Sequence, residues 1–238
     1  MHLENKIAIV TGAGKGLGAA IAQALTLKKV IVYGISRNKE HLTQLKNKLG
    51  ANFHPVVLDV TDEPAITQWV SKTFSSTYLP NILINNAGIG SFSKVDETST
   101  AAWLAIINTN LNGVFYLTSK ITALMKLQTQ SSHIINIGSI IGKVARSEAT
   151  AYCASKFAIS GFSESLFMEL RQYNIKVTCV NLGSIETDLL VNSGVQPHSN
   201  MLQPKDIAAM IVHILETPDN MLIDEITVRP LNSKPPTS

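Results

Sequence analysis

The stretch IAIVTGAGKGLGAAIAQAL, residues 7–25, decides the fold class, because a glycine-rich turn joins a short apolar run to a longer amphipathic one. A short apolar run rich in β-branched residues predicts a buried strand, and apolar positions three or four apart predict a helix. Glycine lets the backbone between them turn tightly and approach a phosphate, whose charge is favoured at a helix N-terminus. The stretch therefore predicts a strand, a phosphate-binding turn and a helix, although such a turn can also be purely structural.

The same alternation continues along the chain and predicts a parallel sheet. Seven apolar runs are expected to be strands: Lys6–Thr11, Val30–Ile35, His54–Asp59, Ile82–Asn85, Ile134–Gly138, Lys176–Asn181 and Ile223–Val228. Seven stretches with helical spacing are expected to be helices: Leu17–Leu27, Lys39–Leu49, Glu63–Phe74, Thr100–Asn110, Gly113–Leu127, Ala154–Tyr173 and Pro204–Leu215. Right-handed crossovers should lay these helices on both faces of the sheet. The prediction is an α/β Rossmann fold with a doubly wound, seven-stranded parallel sheet, in a single domain over residues 1–238.

Composition excludes several function classes. Charged residues make up 16% and hydrophobic residues 45% of the 238 residues, which excludes a disordered chain. The net charge is +3 without a block of like charges, so we expect no nucleic-acid partner. No run of 18 apolar residues occurs, and the N-terminus lacks a signal sequence, so we expect a cytoplasmic protein with no membrane partner. Two cysteines, Cys153 and Cys179, lack metal-ligand spacing and predict no metal site.

The end of the second predicted strand bears on the choice of cofactor. In dinucleotide-binding folds, an acidic residue about 20 residues after the glycines binds a ribose 2′-hydroxyl, whereas a nearby Arg accommodates a 2′-phosphate. Here Ser36 and Arg37 occupy that region, no acid lies between Val30 and Lys39, and Lys15 belongs to the glycine turn. The pattern favours NADP(H) over NAD(H), although both cations could simply be solvated.

Tyr152 and Lys156 are the candidate reacting groups. Four residues apart on a predicted helix, they share one face, and an ammonium beside a phenol is expected to lower the pKa of the phenol. Ser139 follows the fifth predicted strand, where its hydroxyl could bind a substrate oxygen or only its own backbone. Taken alone, such a Tyr and Lys pair more often reflects packing.

Five motifs taken together give a more specific signal. The motifs are the spacing Gly12-x-x-x-Gly16-x-Gly18, the segment Asn86-Ala87-Gly88, Asn110, Ser139 and Tyr152-x-x-x-Lys156. In their order and spacing they resemble the short-chain dehydrogenase/reductase family, across about residues 7–187. The resemblance implies that Tyr152 is the general acid/base, that Lys156 lowers its pKa and holds the nicotinamide ribose, that Ser139 positions the carbonyl oxygen and that Asn110 supports a proton relay. The implied cofactor-binding residues are Gly12, Gly14, Lys15, Gly16, Leu17, Gly18, Ser36, Arg37, Asp59, Val60, Asn86, Ala87, Gly88, Tyr152, Lys156, Ile185 and Thr187.

Two departures from the family pattern have consequences. Leu182 stands where the family usually has Pro, which implies a less rigid loop before Ile185 and Thr187. The tail 229–238 lacks the Gly-rich ending that contributes to tetramer contacts in many members. Because the helix Ala154–Tyr173 is apolar on more than one side, through Phe157, Phe167 and Met168, we expect self-association to a dimer or a tetramer.

These features predict NADPH-dependent reduction of a small-molecule carbonyl substrate, such as a 3-oxoacyl chain or a related small ketone. A substrate lid is expected at about residues 185–203, where Leu189, Leu190, Val191, Met201 and Leu202 favour a neutral or apolar-tailed ketone, unless these residues only pack on the domain. The alternative is a non-catalytic dinucleotide sensor or regulatory protein on the same fold. A methyltransferase would share the glycine turn but would not explain the Tyr and Lys pair.

Overall fold

The computed structural model describes residues 1–187 and 196–236, whose strands form one parallel seven-stranded sheet in the order β3-β2-β1-β4-β5-β6-β7. The strands are β1 (Ile7–Thr11), β2 (Ile31–Ser36), β3 (Phe53–Val57), β4 (Ile82–Asn85), β5 (Ser132–Ile137), β6 (Ile175–Leu182) and β7 (Glu225–Val228). The helices of these residues are α1 (Gly16–Leu27), α2 (Lys39–Leu49), α3 (Glu63–Thr73), α4 (Thr100–Ile107), α5 (Gly113–Met125), α6 (Thr150–Leu170) and α7 (Pro204–Glu216). The predicted fold and its seven strands are confirmed.

Alternate side chains of the central strands enter opposite hydrophobic cores. In β1, Ala8 and Val10 pack with α1, α2 and α7 on one face of the sheet, whereas Ile7 and Ile9 pack with α3, α5 and α6 on the other. Every position in this strand is buried. Strands covered on both faces are apolar at every position rather than at alternate ones, which is why the sequence pattern identified them.

The third strand lies two residues earlier at its C-terminal end than predicted. β3 pairs only with β2, and an edge position tolerates Pro55, which has no N–H to donate. Asp59 cannot continue the strand, because its carboxylate accepts hydrogen bonds from the N–H and the hydroxyl of Thr61, both at 2.9 Å. This local turn directs the chain toward α3.

The predicted helices Thr100–Asn110 and Gly113–Leu127 are not separate. A π-helical turn, Asn108–Asn112, joins α4 directly to α5. The wider turn carries Asn110, whose side chain is buried and hydrogen-bonded. π-Helical turns are rare and often occur at functional sites. Alternation of apolar residues does not encode such a turn, so the sequence pattern indicated a break there instead.

Two further boundaries affect the site. Helix α6 begins at Thr150, four residues before the predicted start, so both Tyr152 and Lys156 lie within it. Of the predicted lid, residues 188–195 lie outside the described residues, and they include Leu189, Leu190 and Val191. Met201 is buried, and the N–H of Leu202 donates to the carbonyl of Ser184 at 3.0 Å. Leu202 is partly buried against the core, and a substrate lid at about residues 185–203 stays a prediction.

The strand order places a crevice between two halves of the sheet. β1 pairs with β2 on one side and with β4 on the other, so the connections from these strands diverge at their C-terminal ends. Parallel sheets bind ligands at such a point. Among the helices in the described parts of the chain, none is long and apolar enough to cross a membrane.

Candidate active site

A cavity of about 750 Å³ lies at the C-terminal ends of the strands. Its walls come from the glycine turn, from the ends of β2 to β6 and from α6. Seventeen predicted site residues line it: Gly12, Gly14, Lys15, Gly16, Leu17, Ser36, Arg37, Asp59, Val60, Asn86, Ala87, Gly88, Ser139, Tyr152, Lys156, Ile185 and Thr187. Gly18 and Asn110 were also predicted but do not line the cavity.

The glycine turn has the shape of an anion cradle. Gly12 and Gly16 have φ angles of +67° and +55°, which side chains other than glycine rarely adopt. A Cβ on Gly12 would also lie 2.8 Å from the side-chain nitrogen of Asn86. The residue before α1 is Lys15, whose side chain has no acceptor for the N–H groups of the first helical turn. With no acid in that turn, the helix terminus presents donors and positive charge to the cavity, which fits a pyrophosphate.

Gly18 contributes through packing rather than through the cavity wall. A Cβ at this position would lie 2.3 Å from the backbone oxygen of Gly12 and 2.6 Å from the side-chain nitrogen of Asn86. The missing side chain therefore lets α1 approach the glycine turn and the loop after β4. This close approach brings the N-terminus of α1 up to the cavity.

Thr11 ties the glycine turn to the loop after β4, a role that the sequence analysis missed. Its hydroxyl accepts hydrogen bonds from the N–H groups of Asn86 and Ala87, both at 2.9 Å. The Asn86 amide donates back to the carbonyl of Thr11 at 2.9 Å. Because Thr11 is buried in the crevice between β1 and β4, these bonds fix the two cavity walls relative to each other.

One end of the cavity carries the predicted cofactor-selective residues. Ser36 ends β2, and Arg37 follows it with an exposed side chain. The guanidinium of Arg37 lies 3.6 Å from the carboxylate of Asp59, and Lys15 and His41 line the same cavity. A hydroxyl and cations thus occupy the region in which a ribose-binding carboxylate would be expected for NAD(H).

The other end brings Ser139, Tyr152 and Lys156 to one wall. The side chains of all three are largely buried. The Ser139 hydroxyl accepts from the N–H of Ile141 at 3.3 Å and is 3.4 Å from the carbonyl of Leu182. The Lys156 ammonium donates to the carbonyl of Ile137 at 2.8 Å and lies 5.7 Å from the centroid of the Tyr152 ring.

Burial changes the proton affinities of this pair in opposite directions. Burial raises the pKa of Tyr152 to about 12, and a hydrogen bond with Ser139 opposes that rise. Burial also lowers the pKa of Lys156 to about 8. Desolvation disfavours the charged form of each group, and its effect on the phenol is opposite to the lowering of the pKa expected from Lys156. The phenol is therefore a neutral hydrogen-bond donor near pH 7.

Close packing around the end of β5, against β6 at Gly138 and against α6 at Gly142, depends on two glycines that the sequence analysis did not assign to the site. A Cβ on Gly142 would lie 2.7 Å from the backbone oxygen of Lys156, and a Cβ on Gly138 would lie 2.2 Å from the side-chain oxygen of Asn181. Both glycines flank Ser139 in sequence. Two glycines near the end of a predicted strand were the signal that could have assigned them to the site. The sequence does not show which distant elements pack against them.

Asn110 lies behind the cavity wall. Its side-chain oxygen accepts from the N–H of Ile89 at 2.8 Å, and its amide donates to the carbonyl of Ile89 at 2.9 Å and to the Ser155 hydroxyl at 3.1 Å. It therefore connects the loop after β4 to α6. A role of Asn110 in proton relay stays a prediction.

The reacting end has further wall residues that the sequence analysis did not single out. They include Ile89, Phe92, Ile140, Ile141, Val144, Arg146 and Arg229. Phe92 falls in the segment Ser91–Ser99, which has neither helical nor strand period in the sequence and follows the end of β4. That position was the signal that could have assigned it to the site.

Comparison with known proteins agrees with this geometry. The short chain dehydrogenase family model matches residues 6–197. A farnesol dehydrogenase of Aedes aegypti is 32% identical over 241 residues, which cover 96% of this chain and 97% of that protein. The structure of a serine dehydrogenase complexed with NADP+ shares 25% identity with a TM-score of 0.85 and covers 93% of this chain and 94% of its own. A 3-ketoacyl-(acyl-carrier-protein) reductase from Brucella melitensis complexed with NADH shares 26% identity with a TM-score of 0.88, covering 98% of this chain and 100% of its own.

The chain belongs to the short-chain dehydrogenase family. It is an oxidoreductase that acts on alcohol or carbonyl groups with a nicotinamide dinucleotide cofactor.

Proposed function

We propose that this protein is an NADPH-dependent reductase that converts the carbonyl of a 3-oxoacyl chain, or of a related small ketone, to a secondary alcohol. The observation that carries the proposal is the convergence of Ser139, Tyr152 and Lys156 on one wall of the cavity that also contains the glycine turn. We further propose that residues 1–238 act as a single domain, since this one cavity holds both the cofactor end and the reacting end.

The chemistry follows from what each side chain can donate. When bound, the reduced nicotinamide supplies a hydride to the carbonyl carbon. Negative charge then develops on the carbonyl oxygen, which needs hydrogen-bond donors and a proton. The Ser139 hydroxyl orients and stabilises that oxygen, and the Tyr152 phenol donates the proton to it. Lys156 holds the ribose hydroxyls, and Asn110 supports the return of a proton to Tyr152.

The protonation state of Tyr152 fits the role of proton donor in this proposal. Burial raises its pKa to about 12, so the phenol carries its proton at neutral pH. The raised pKa also makes the phenol a weaker acid, so the proton transfer depends on the negative charge that develops on the carbonyl oxygen.

A preference for NADPH is supported by the corner formed by Lys15, Ser36 and Arg37. A 2′-phosphate is doubly charged near neutral pH and suits a guanidinium and an ammonium. Asp59 is 3.6 Å from Arg37 and offsets part of that positive charge, yet it lies after β3 rather than at the end of β2. The end of β2 carries Ser36, which avoids repulsion between a carboxylate and the phosphate.

The deciding experiment is a cofactor oxidation assay with short 3-oxoacyl thioesters and small ketones. The wild-type protein is expected to consume NADPH at least about tenfold more efficiently than NADH. Arg37→Ala should lower kcat/KM for NADPH by about 10- to 100-fold and leave that for NADH unchanged. Lys39→Ala is the matched control, because Lys39 is a nearby exposed cation that does not line the cavity. An equal preference for the two cofactors, or no turnover of any carbonyl compound, would refute the proposal.

We also propose that the protein forms a homodimer or a homotetramer. The supporting observation is the outer surface of α5 and α6, where Phe115, Phe157 and Met168 are 52%, 45% and 60% exposed. Phe167, which was predicted to belong to this surface, is half-buried and packs against the interior. Light scattering that gives the mass of a monomer at micromolar concentration would contradict self-association.

A further inference from the structure

Arg146 lies at the reacting end of the cavity, where the proposed chemistry gives it no role. It lines the cavity, and its guanidinium carbon lies 4.9 Å from the centroid of the Phe92 ring. The Phe92 ring in turn lies 5.8 Å from the Tyr152 ring. One aromatic ring therefore separates the guanidinium from the phenol that would protonate the substrate.

The backbone at Arg146 contacts the start of α6. Cys153, the residue after Tyr152, approaches the carbonyl of Arg146 with its sulfur at 3.8 Å. The loop that carries Phe92 is joined to the start of α6 through a parallel bridge between Ser93 and Ala149. The arginine and the ring beneath it are thus both attached to the helix that bears Tyr152.

The cationic side chains that line the cavity are not all placed at the end proposed for the 2′-phosphate. Among the described residues, the cavity is lined by five cationic side chains and one carboxylate, which belong to Lys15, Arg37, Arg146, Lys156, Arg229 and Asp59. The proposed function uses Lys15 and Arg37 for the 2′-phosphate and Lys156 for the ribose. Asp59 lies beside Arg37, at the opposite end from the phenol. Arg146 and Arg229 are left without an assigned anion.

A guanidinium stacked on an aromatic face keeps its N–H donors available at the edge of its plane. Arginine in this arrangement combines a cation–π contact with two parallel hydrogen bonds to a carboxylate or a phosphate. The ring also restrains the side chain, so less rotamer freedom is lost when an anion binds. The ring of Phe92 can restrain Arg146 in this way, at the end of the cavity that holds Tyr152.

We propose that Arg146 binds an oxyanion, a carboxylate or a phosphate ester, that the carbonyl substrate itself carries a few bonds from its C=O group. This inference rests on the proposed function, because it names the substrate class of the same site. It differs from the neutral, apolar-tailed substrate that the sequence favoured. That expectation came from the segment after Thr187, whereas Arg146 belongs to the wall before α6.

The test compares ligands that differ only in charge. Acetoacetate is paired with methyl acetoacetate, and dihydroxyacetone phosphate is paired with dihydroxyacetone. Calorimetry measures their dissociation constants for the protein saturated with NADP+, and the NADPH assay measures their kcat/KM. At least one anion should bind at least about tenfold more tightly than its neutral partner. The ligand pair whose two members differ in affinity shows whether the site binds a carboxylate or a phosphate.

Three variants assign the effect to a residue. Arg146→Ala should abolish the preference for the anion by raising its KM and dissociation constant, while kcat/KM for the neutral ligand and NADPH affinity stay unchanged. Arg146→Lys should restore part of the preference, because an ammonium keeps the charge but loses the paired hydrogen bonds. Lys143→Ala is the matched control, since it removes one positive charge from the same segment at a side chain outside the cavity.

The outcomes separate the two proposals. Anion binding that needs Arg146 but leads to no carbonyl reduction would refute the proposed function and support the anion site. Reduction with equal affinity for both members of each pair would refute the anion site and leave the proposed function intact. Loss of the preference in Arg229→Ala but not in Arg146→Ala would overturn the assignment to Arg146. Loss of the preference in Lys143→Ala would show a general charge effect and would overturn it as well.

Discussion

At the scale of single residues, the same burial acts on Tyr152 and Lys156 with opposite effects. Both side chains lie on one face of α6, and both are less than one tenth exposed. Removal of water penalises the phenolate and the ammonium alike, so the pKa of Tyr152 rises to about 12 and that of Lys156 falls to about 8. Near pH 7 the phenol is therefore neutral and the ammonium is largely charged.

Tyr152→Phe tests the proton donor directly. The change removes one hydroxyl and keeps the ring that packs against Phe92, so the fold should be preserved. Because general acid catalysis contributes about 10²- to 10⁴-fold, kcat for ketone reduction should fall by about that factor while NADPH affinity changes little. Tyr116→Phe, on α5, is the control and should keep full activity. Unchanged turnover in Tyr152→Phe would remove this residue from the reaction.

Lys156 gives a pH dependence with a definite sign. With a pKa of about 8, its ammonium is charged at pH 7 and largely neutral at pH 9. NADPH is an anion, so its dissociation constant should rise as pH increases through about 8, by up to about tenfold. In Lys156→Arg this rise should disappear, because a guanidinium keeps its charge over the whole range. Fluorescence titration of NADPH between pH 7 and 10 measures it, and a flat wild-type profile would contradict the assignment.

At the scale of elements, the position of α1 depends on the absence of side chains. The helix begins at Gly16 with its first turn against the cavity, and Gly18 allows it to contact the backbone of Gly12. A glycine within the first turn lowers intrinsic helix stability by about 0.5–1 kcal/mol relative to alanine. The packing of α1 against the strand loops offsets that cost and places the donors of the helix terminus at the phosphate site.

Gly18→Ala and Gly161→Ala form a matched pair of helical substitutions. A Cβ at position 18 would lie 2.3 Å from the oxygen of Gly12, so the helix must shift, at a cost of about 1–3 kcal/mol. At position 161, within α6, no atom from outside the local helical backbone lies within 4 Å of the added Cβ, so the variant should gain up to about 1 kcal/mol. Thermal unfolding and NADPH titration should show lower stability and weaker binding for Gly18→Ala only. Equal stabilisation in both variants would contradict the packing role of Gly18.

At the scale of the whole molecule, the sequence was sufficient to predict the structural features that depend on local periodicity and on the order of the motifs. Buried strands such as β1 were predictable because every side chain in them enters one of two cores. The π-helical turn at Asn110 was not predictable, because its stability comes from contacts with Ile89 and Ser155, which are distant in sequence. The same reason explains why Arg146 was missed: its place beside Phe92 results from the packing of the two loops that carry them.

The stability of the whole fold should depend on pH through His133, which lies in β5 with its Nε2 atom 2.8 Å from the Thr178 hydroxyl. Burial, followed by the charges of Lys176 and the N-terminus, lowers the pKa of His133 to about 3, whereas in an unfolded chain it is about 6.5. Below pH 6.5 the unfolded state therefore binds a proton that the folded state does not, and the free energy of unfolding should fall by up to about 1.4 kcal/mol per pH unit.

His133→Gln keeps an amide for Thr178 but does not titrate, so its urea unfolding curves between pH 4.5 and 7 should show a smaller loss of stability. His2→Gln, at an exposed position, should follow the wild-type dependence. Parallel pH dependences for wild type and His133→Gln would show that other groups control acid stability.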